Sequence, residues 1–212
     1  AGRHIVITAG PTREAIDPVR YISNHSSGKQ GYALALAGIE AGARVTLISG
    51  PTNINPPDRA TVIAVQSADE MLAAVMSSIS DCDIFIGVAA VADYKPASLE
   101  RQKIKKSSGN AMELHLIQNQ DILKTVANLE NRPFTVGFAA ETENVIEHAR
   151  TKLTAKNLDM IIANNVADTS IGFNSDHNET TIITRIISGK STRITEEHQT
   201  KMSKENLSRK II

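Results

Sequence analysis

The chain has 212 residues, enough for one large domain with a substantial core. Acidic and basic residues balance at 23 each, and aromatics make up 3% of the chain with no Trp, which argues against a charge-driven nucleic-acid or membrane surface and against base-stacking platforms. The single cysteine, Cys82, can form no internal disulfide and fits a reducing, cytoplasmic setting, and no apolar run approaches the ~20 residues of a membrane span.

The six His residues stand apart from one another and from Cys82, without zinc-ligand spacing, so no protein metal site is expected. The first residue is Ala rather than Met, which fits a domain taken from a longer chain.

The opening stretch organises the reading. Ile5, Val6 and Ile7 form a β-branched run that Gly10-Pro11 stops, as in a strand buried on both faces of a parallel sheet. A long polar loop then delivers Ser26, Ser27 and Gly28 to a helix expected over 29–43, where free N–H groups and the dipole favour a phosphate or carboxylate. Two phosphate motifs fail here. Ser23 stands where a Walker A loop needs its first Gly, and Gln30 follows Lys29 where a magnesium-binding hydroxyl is needed. Gly10 has no partner at 12 or 15 to make a dinucleotide fingerprint.

Further along, strands are expected over 44–50, 61–66 and 84–90, with a capping box at Ser67-Ala-Asp-Glu70 opening an amphipathic helix. This β-α-β-α-β order predicts a Rossmann-like, doubly wound, mostly parallel α/β sheet with ligands beyond the carboxyl ends of its strands. Residues 97–110, carrying Lys103-Ile-Lys-Lys106, break the pattern and read as a mobile strap. Strands at 113–119, 135–140 and 160–165 and helices at 121–129 and 144–156 follow. From residue 166 a smaller extension holds an antiparallel hairpin (180–187 and 192–195) and a basic tail helix with a solvated face. The whole is read as one domain, 1–212.

Several residues carry candidate chemistry. The strap lysines could close over a polyphosphate or form an ordinary basic turn. Lys152 and Lys156, at i,i+4, would be relieved of mutual repulsion by an anionic ligand, or are simply surface lysines. Asp93 lies just past a buried strand, in a place suited to a ribose-binding or catalytic acid, or to a turn cap. Asn24 could donate to an oxyanion or hold an Asx-turn. His25 has no visible partner and reads as a loop histidine. Residues alone point to a nucleotide or phosphoester site.

Taken together, Ile7-Thr-Ala-Gly-Pro-Thr-Arg-Glu14, Asp17-Pro-Val-Arg-Tyr-Ile-Ser-Asn-His-Ser-Ser-Gly-Lys29, Ala89-Ala-Val-Ala-Asp-Tyr94, Lys103-Ile-Lys-Lys106, Val136-Gly-Phe-Ala-Ala-Glu-Thr142 and Gly172-Phe-Asn-Ser-Asp176 resemble phosphopantothenoylcysteine synthetase, in order to about residue 190. The resemblance implies a ligase of coenzyme A biosynthesis, with 4′-phosphopantothenate, L-cysteine and CTP as substrates, Mg2+ bound with CTP, and an acyl-cytidylate intermediate. It implies a homodimer, and a flavin-dependent decarboxylase half elsewhere in the full-length chain, with no flavin on this part.

Residue by residue, the resemblance gives Asn24 the acyl-cytidylate and Lys103 the strap's closing charge. It gives Gly87, Asp93, Phe138, Lys152, Lys156 and the run Gln118-Asn119-Gln120-Asp121 to the nucleotide. Gln118 and Gln120 depart from the family's Lys and Pro. Arg20, Ser26, Ser27, Gly28, Ala89 and Ala90 are read as substrate-binding. The rival readings are an NAD(P)-dependent oxidoreductase, which would need a glycine fingerprint, and a non-catalytic nucleotide-sensing module.

Overall fold

The computed structural model describes residues 2–105, 111–165, 174–189 and 191–212. The end of the expected strap (106–110, including Lys106), residues 166–173 and Lys190 of the expected hairpin turn lie outside these. In chain order the first half contains β1 (His4–Ala9), β2 (Glu14–Asp17), β3 (Arg20–Ile22), α1 (Lys29–Glu40), β4 (Arg44–Ser49), β5 (Thr61–Ala64), α2 (Ala68–Ser78) and β6 (Ile84–Gly87). Then come β7 (Tyr94–Pro96), β8 (Leu116–Gln118), α3 (Ile122–Ala127), β9 (Phe134–Glu141), α4 (Val145–Ala155) and β10 (Met160–Asn165). The chain ends with β11 (His177–Ser188), β12 (Ser191–Ser203) and α5 (Lys204–Ile211).

The main sheet runs β12-β11-β10-β9-β6-β1-β4-β5, parallel from β5 to β10, with β11 and β12 added antiparallel. The doubly wound sheet and its hairpin are therefore as the sequence implied. β1 is buried at every position because both faces are covered. Ile5 and Ile7 pack toward Leu34, Ala35 and Ile39 of α1, while Val6 packs with Met71 and Val75 of α2. Small residues bring α1 against the sheet, as expected: a Cβ added to Gly31 would lie 2.5 Å from the Ala9 Cβ. Ser67 caps α2, accepting from the Glu70 N–H, and Glu70 reaches back to the Gln66 N–H at 2.7 Å.

Four expectations need correction. The polar loop at 10–28 contains the β2–β3 hairpin, too short and too mixed in pattern to read as strands. β6 stops at Gly87, because beyond it the chain leaves the ladder and bridges Pro11 through Ala90. The strand expected at 113–119 is only β8, paired with the unforeseen β7. Finally, the tail is not a solvated helix from residue 200. β12 continues to Ser203, and α5 then lies on α1 with Leu207 and Ser208 fully buried and Arg209 paired with Glu40 at 2.8 Å.

The start of the strap is fastened to the β2–β3 hairpin. Glu100 N–H donates to the Ile16 carbonyl, Ile104 N–H to Asp17 Oδ2 at 3.1 Å, and the Arg20 guanidinium to the Ile104 carbonyl at 3.1 Å. Asp17, 2% exposed, also accepts from the Val19 and Arg20 N–H groups and pairs with Arg20 Nε at 2.9 Å. Burial pushes its carboxyl up, but these N–H bonds and the Arg20 charge outweigh it and hold the pKa below the ordinary 3.8.

Gly31→Ala should destabilise the protein by about 1–3 kcal/mol, read from denaturant unfolding, because the new methyl meets Ala9 with no room to move. Asp17→Asn should speed hydrogen exchange at the Ile104 amide. The depressed carboxyl contributes fully above its unfolded value and less as pH falls through the folded one, so the wild type should lose the same protection only below about pH 3.8.

Candidate functional site

β1 lies between β4 and β6, so the chain winds first one way and then the other from it. The loops leaving β1 and β6 must therefore diverge, and a crevice opens beyond their carboxyl ends. Its floor is stitched by backbone. Ala90 N–H donates to the Gly10 carbonyl at 2.9 Å, Thr12 N–H to the Ala90 carbonyl at 3.2 Å, and Ala92 N–H to Thr12 Oγ1 at 3.0 Å. Asn24 Nδ2 donates to the same Ala90 carbonyl at 2.6 Å, and Asn24 Oδ1 accepts from Ser26 N–H at 3.0 Å. The Asx-turn expected of Asn24 is present, and its amide also ties the two loops together. One Nδ2 hydrogen serves Ala90, and the amide carries a second.

The crevice has two halves that share Ala89, Val91 and Phe138 as a common wall. The first, a cavity of about 220 Å3, is lined by residues 26–31 at the start of α1, by 88–91, and by Ala140, Asn164, Asn178 and Lys204. Gly28 takes a left-handed conformation (φ 81) as it opens α1, and the first residues of that helix, whose N–H groups have no intrahelical partner, line this half. Lys29 pairs with Asp176 at 2.6 Å, and that ammonium holds the Asp176 carboxyl below its usual range.

The second half, about 190 Å3, is lined by Thr8, Phe85, Gly87, Asp93, residues 118–123, Phe138 and Lys156, among others. Asp121 caps α3 by accepting from Lys124 N–H and pairs with Lys156 at 2.8 Å. Asn119 is tied by its N–H to the Asp93 carbonyl and by Nδ2 to Ala92, leaving Oδ1 buried with no hydrogen-bond partner among the described residues. Such an acceptor suits a ligand's N–H group.

Thus Gly87, Asp93, Gln118, Asn119, Gln120, Asp121, Phe138 and Lys156 come together in one half, and Ser26, Ser27, Gly28, Ala89 and Ala90 in the other. The space a Gly87 Cβ would take is occupied by Leu123 Cδ1 at 3.0 Å, so this glycine lets α3 approach. Lys152 lines neither half and pairs with Glu141 at 2.6 Å. Lys103 is exposed in a separate groove beside Ile16 and residues 112–115. Arg20 is engaged with Asp17 and Ile104, outside both halves. His25 is exposed. Burial pushes the Cys82 thiol up to about 11, which makes it a structural group rather than a nucleophile.

Sequence reasoning passed over Lys29, Asn164, Asn178 and Lys204 as lining residues. Asn164 was within reach, since it stands near the carboxyl end of a buried strand. Lys204 carried no signal within a basic tail. Among the described residues no three His, Cys, Asp or Glu side chains converge as metal ligands.

A family model for the DNA/pantothenate metabolism flavoprotein C-terminal domain matches residues 1–212. The coenzyme A biosynthesis bifunctional protein CoaBC of Vibrio cholerae is 55% identical over 85% of this chain and 46% of its own length. That of Escherichia coli K12 is 53% identical over 82% of this chain and 44% of its own. The chain spans under half the length of these curated relatives. A crystal structure of a CoaBC C-terminal domain superimposes with a TM-score of 0.78 at 40% identity, covering 99% of this chain and 92% of that one. A Cab2 mutant in complex with phosphopantothenate-cysteine shares the fold, with a TM-score of 0.72 at 16% identity. The chain belongs to the family of DNA/pantothenate metabolism flavoprotein C-terminal domains.

Proposed function

We propose that this domain is a phosphopantothenate–cysteine ligase of coenzyme A biosynthesis that uses CTP. The observation that carries the reading is the two-part crevice at the switch point, with a polar half suited to a nucleotide and an anion-binding half at the start of α1 meeting at Phe138 and Ala89. The longer relatives are named for coenzyme A biosynthesis and the Cab2 mutant holds phosphopantothenate-cysteine, which supports the joining of phosphopantothenate and cysteine; the use of CTP rests on the family resemblance.

In the first step the carboxylate of 4′-phosphopantothenate, held at the common wall, attacks the α-phosphorus of CTP and expels pyrophosphate. This makes an acyl-cytidylate, because a carboxylate oxygen is otherwise too poor a leaving group. In the second step the cysteine amine attacks the acyl carbon, CMP departs and the amide forms. Asn24 anchors the Ala90 loop under the reacting carbonyl and has an amide hydrogen to offer the developing oxyanion. Asn119 Oδ1 is an acceptor for the base amino group. Lys156 neutralises phosphate charge by leaving Asp121.

Mg2+ would arrive on the triphosphate and neutralise part of its charge. The residues present fit that role, since among the described residues Asp93 is the one carboxylate lining the nucleotide half besides the capped Asp121. Lys103 reaches the triphosphate only when the strap moves over the crevice.

The domain works as a homodimer in this reading. The β2–β3 hairpin, the β7–β8 ribbon and the segments next to that ribbon expose Val19, Tyr21, Tyr94, Leu99, Met112 and Ile117, each more than 40% accessible, and a second copy would cover them. In the longer relatives a flavin-dependent decarboxylase half would consume the ligase product.

With CTP, Mg2+, phosphopantothenate and cysteine, the protein should release pyrophosphate, and release should need phosphopantothenate; release without it, or none with it, overturns the reading. Asn24→Asp should keep the fold by circular dichroism yet lower turnover roughly 100-fold, the usual size of a lost oxyanion donor. Wild-type turnover would remove Asn24 from the chemistry. Sedimentation should show a dimer that Tyr21→Lys dissociates.

A further inference from the structure

Resting on that ligase reading, the geometry points to Asn178 and Asn164 as the pair that recognises the hydroxyl of the acid substrate, midway along the first half of the crevice. Both residues line that cavity, and in the antiparallel pairing of β10 with β11 Asn164 stands opposite Thr180. Asn178 comes two residues before Thr180 on the same strand, so the two amides are diagonal neighbours on one face of the sheet. On β9, Phe138 and Ala140 pair with Ile162 and Asn164 of β10. The cavity therefore runs from the common wall at Phe138 across β9, β10 and β11, each strand about 4.8 Å further on.

The two amides differ in what they have left to offer. Asn178 is 4% exposed, and its Oδ1 accepts from the Glu179 N–H at 3.0 Å. That bond fixes which way the amide lies and leaves Nδ2 as a donor with no acceptor among the described residues. A donor so nearly buried is costly unless a ligand completes it. Asn164 is half-buried and engages neither end of its amide among the described residues, so it is free to present Oδ1. A fixed donor beside a free acceptor suits a group that accepts and donates at once, and a hydroxyl is the simplest of these. Phosphopantothenate carries one hydroxyl, on the carbon next to its amide carbonyl. With the carboxylate at the common wall, two methylenes and the amide place that hydroxyl one to two strand spacings away, where Asn164 and Asn178 stand. Neither side chain is charged, so the pair reads the neutral middle of the acid while the start of α1 suits its anionic end.

The test measures pyrophosphate release by wild type, Asn178→Ala and Asn178→Asp with phosphopantothenate and with its deoxy counterpart, in which hydrogen replaces the hydroxyl. The wild type should use the deoxy acid with kcat/KM lower by roughly ten- to a hundredfold, because the analogue leaves a buried donor unpaired. Asn178→Ala should show a loss of the same order with the natural acid and none further with the deoxy acid, KM for CTP and cysteine staying within about twofold. Asn178→Asp keeps an oxygen for the Glu179 N–H but has no hydrogen to donate, and should behave as the Ala variant does.

Equal losses with both acids would mean that Asn178 only shapes β11, and an undiminished wild-type rate with the deoxy acid would mean that nothing reads the hydroxyl; either overturns the assignment. Should both variants unfold, Asn164→Ala takes their place in the same comparison: a loss confined to the natural acid supports the pair, and equal losses refute it. No pyrophosphate from the wild type with either acid would instead sink the ligase reading and this assignment with it, a failure distinct from the others.

Discussion

The structure turns on one backbone carbonyl. Ala90 accepts from Thr12 N–H and from Asn24 Nδ2, while its own N–H reaches Gly10. Two parallel neighbours whose connections leave in opposite directions would otherwise end in loops with unpaired peptide groups facing each other across a gap. These bonds satisfy those groups and fix the gap's width at the same time. The wall that separates the two halves of the crevice, Ala89 to Val91, is therefore held from the β1 side rather than by its own strand, which ended at Gly87. A residue such as Asn24 can then be structural and chemical at once, because the loop it ties is the loop on which the reacting carbonyl would rest.

Charge around the crevice is arranged in displaceable pairs. Lys156 rests on Asp121 and Lys29 on Asp176 in its lining, and Lys152, outside both halves, rests on Glu141, each with a partly exposed lysine. Pairs of this kind contribute about 0–1 kcal/mol, so an arriving phosphate can take the lysine from its carboxylate with little loss of stability. The pairs also answer the puzzle of two lysines one helical turn apart. Each has its own carboxylate, so their mutual repulsion is already offset before any ligand arrives. Lys204 differs in being buried, and its charge cannot be screened by solvent in the same way.

Much of this was legible in the sequence, for identifiable reasons. β1, β4, β9 and β10 are continuous β-branched or apolar runs bounded by turn residues, so they read as doubly buried strands. The α1 start followed from Gly28 and the small residues after it. Gln118 to Asp121, Asp93 and Phe138 could be grouped because the family resemblance ties them together, and they do line one half of the crevice. What escaped notice was too short to show a period or depended on pairing between separate segments. β2, β3, β7 and β8 are three or four residues long; β2 pairs with its neighbour β3, and β7 with β8 across the strap. α5 looked like a solvated tail because its charge hides the burial of Leu207. Only the docking of that helix on α1 turns Lys204 inward.

The hairpin and strap show how far local pattern can mislead about role. Arg20 opens β3 with its side chain half-buried, and its charge alone suggests a phosphate clamp. In the structure its guanidinium spans Asp17 and the Ile104 carbonyl, and the same Asp17 takes the Ile104 N–H. Arg20 and Asp17 together grip both backbone polar groups of one strap residue, Ile104. A fixed point at residue 104 limits how residue 103 can travel, since consecutive Cα atoms are only about 3.8 Å apart. Any closing motion that carries Lys103 to the triphosphate must either break this grip or swing the hairpin with it. The hairpin also bears the exposed apolar residues Val19 and Tyr21, so a second copy covering them would act directly on the element that holds the strap.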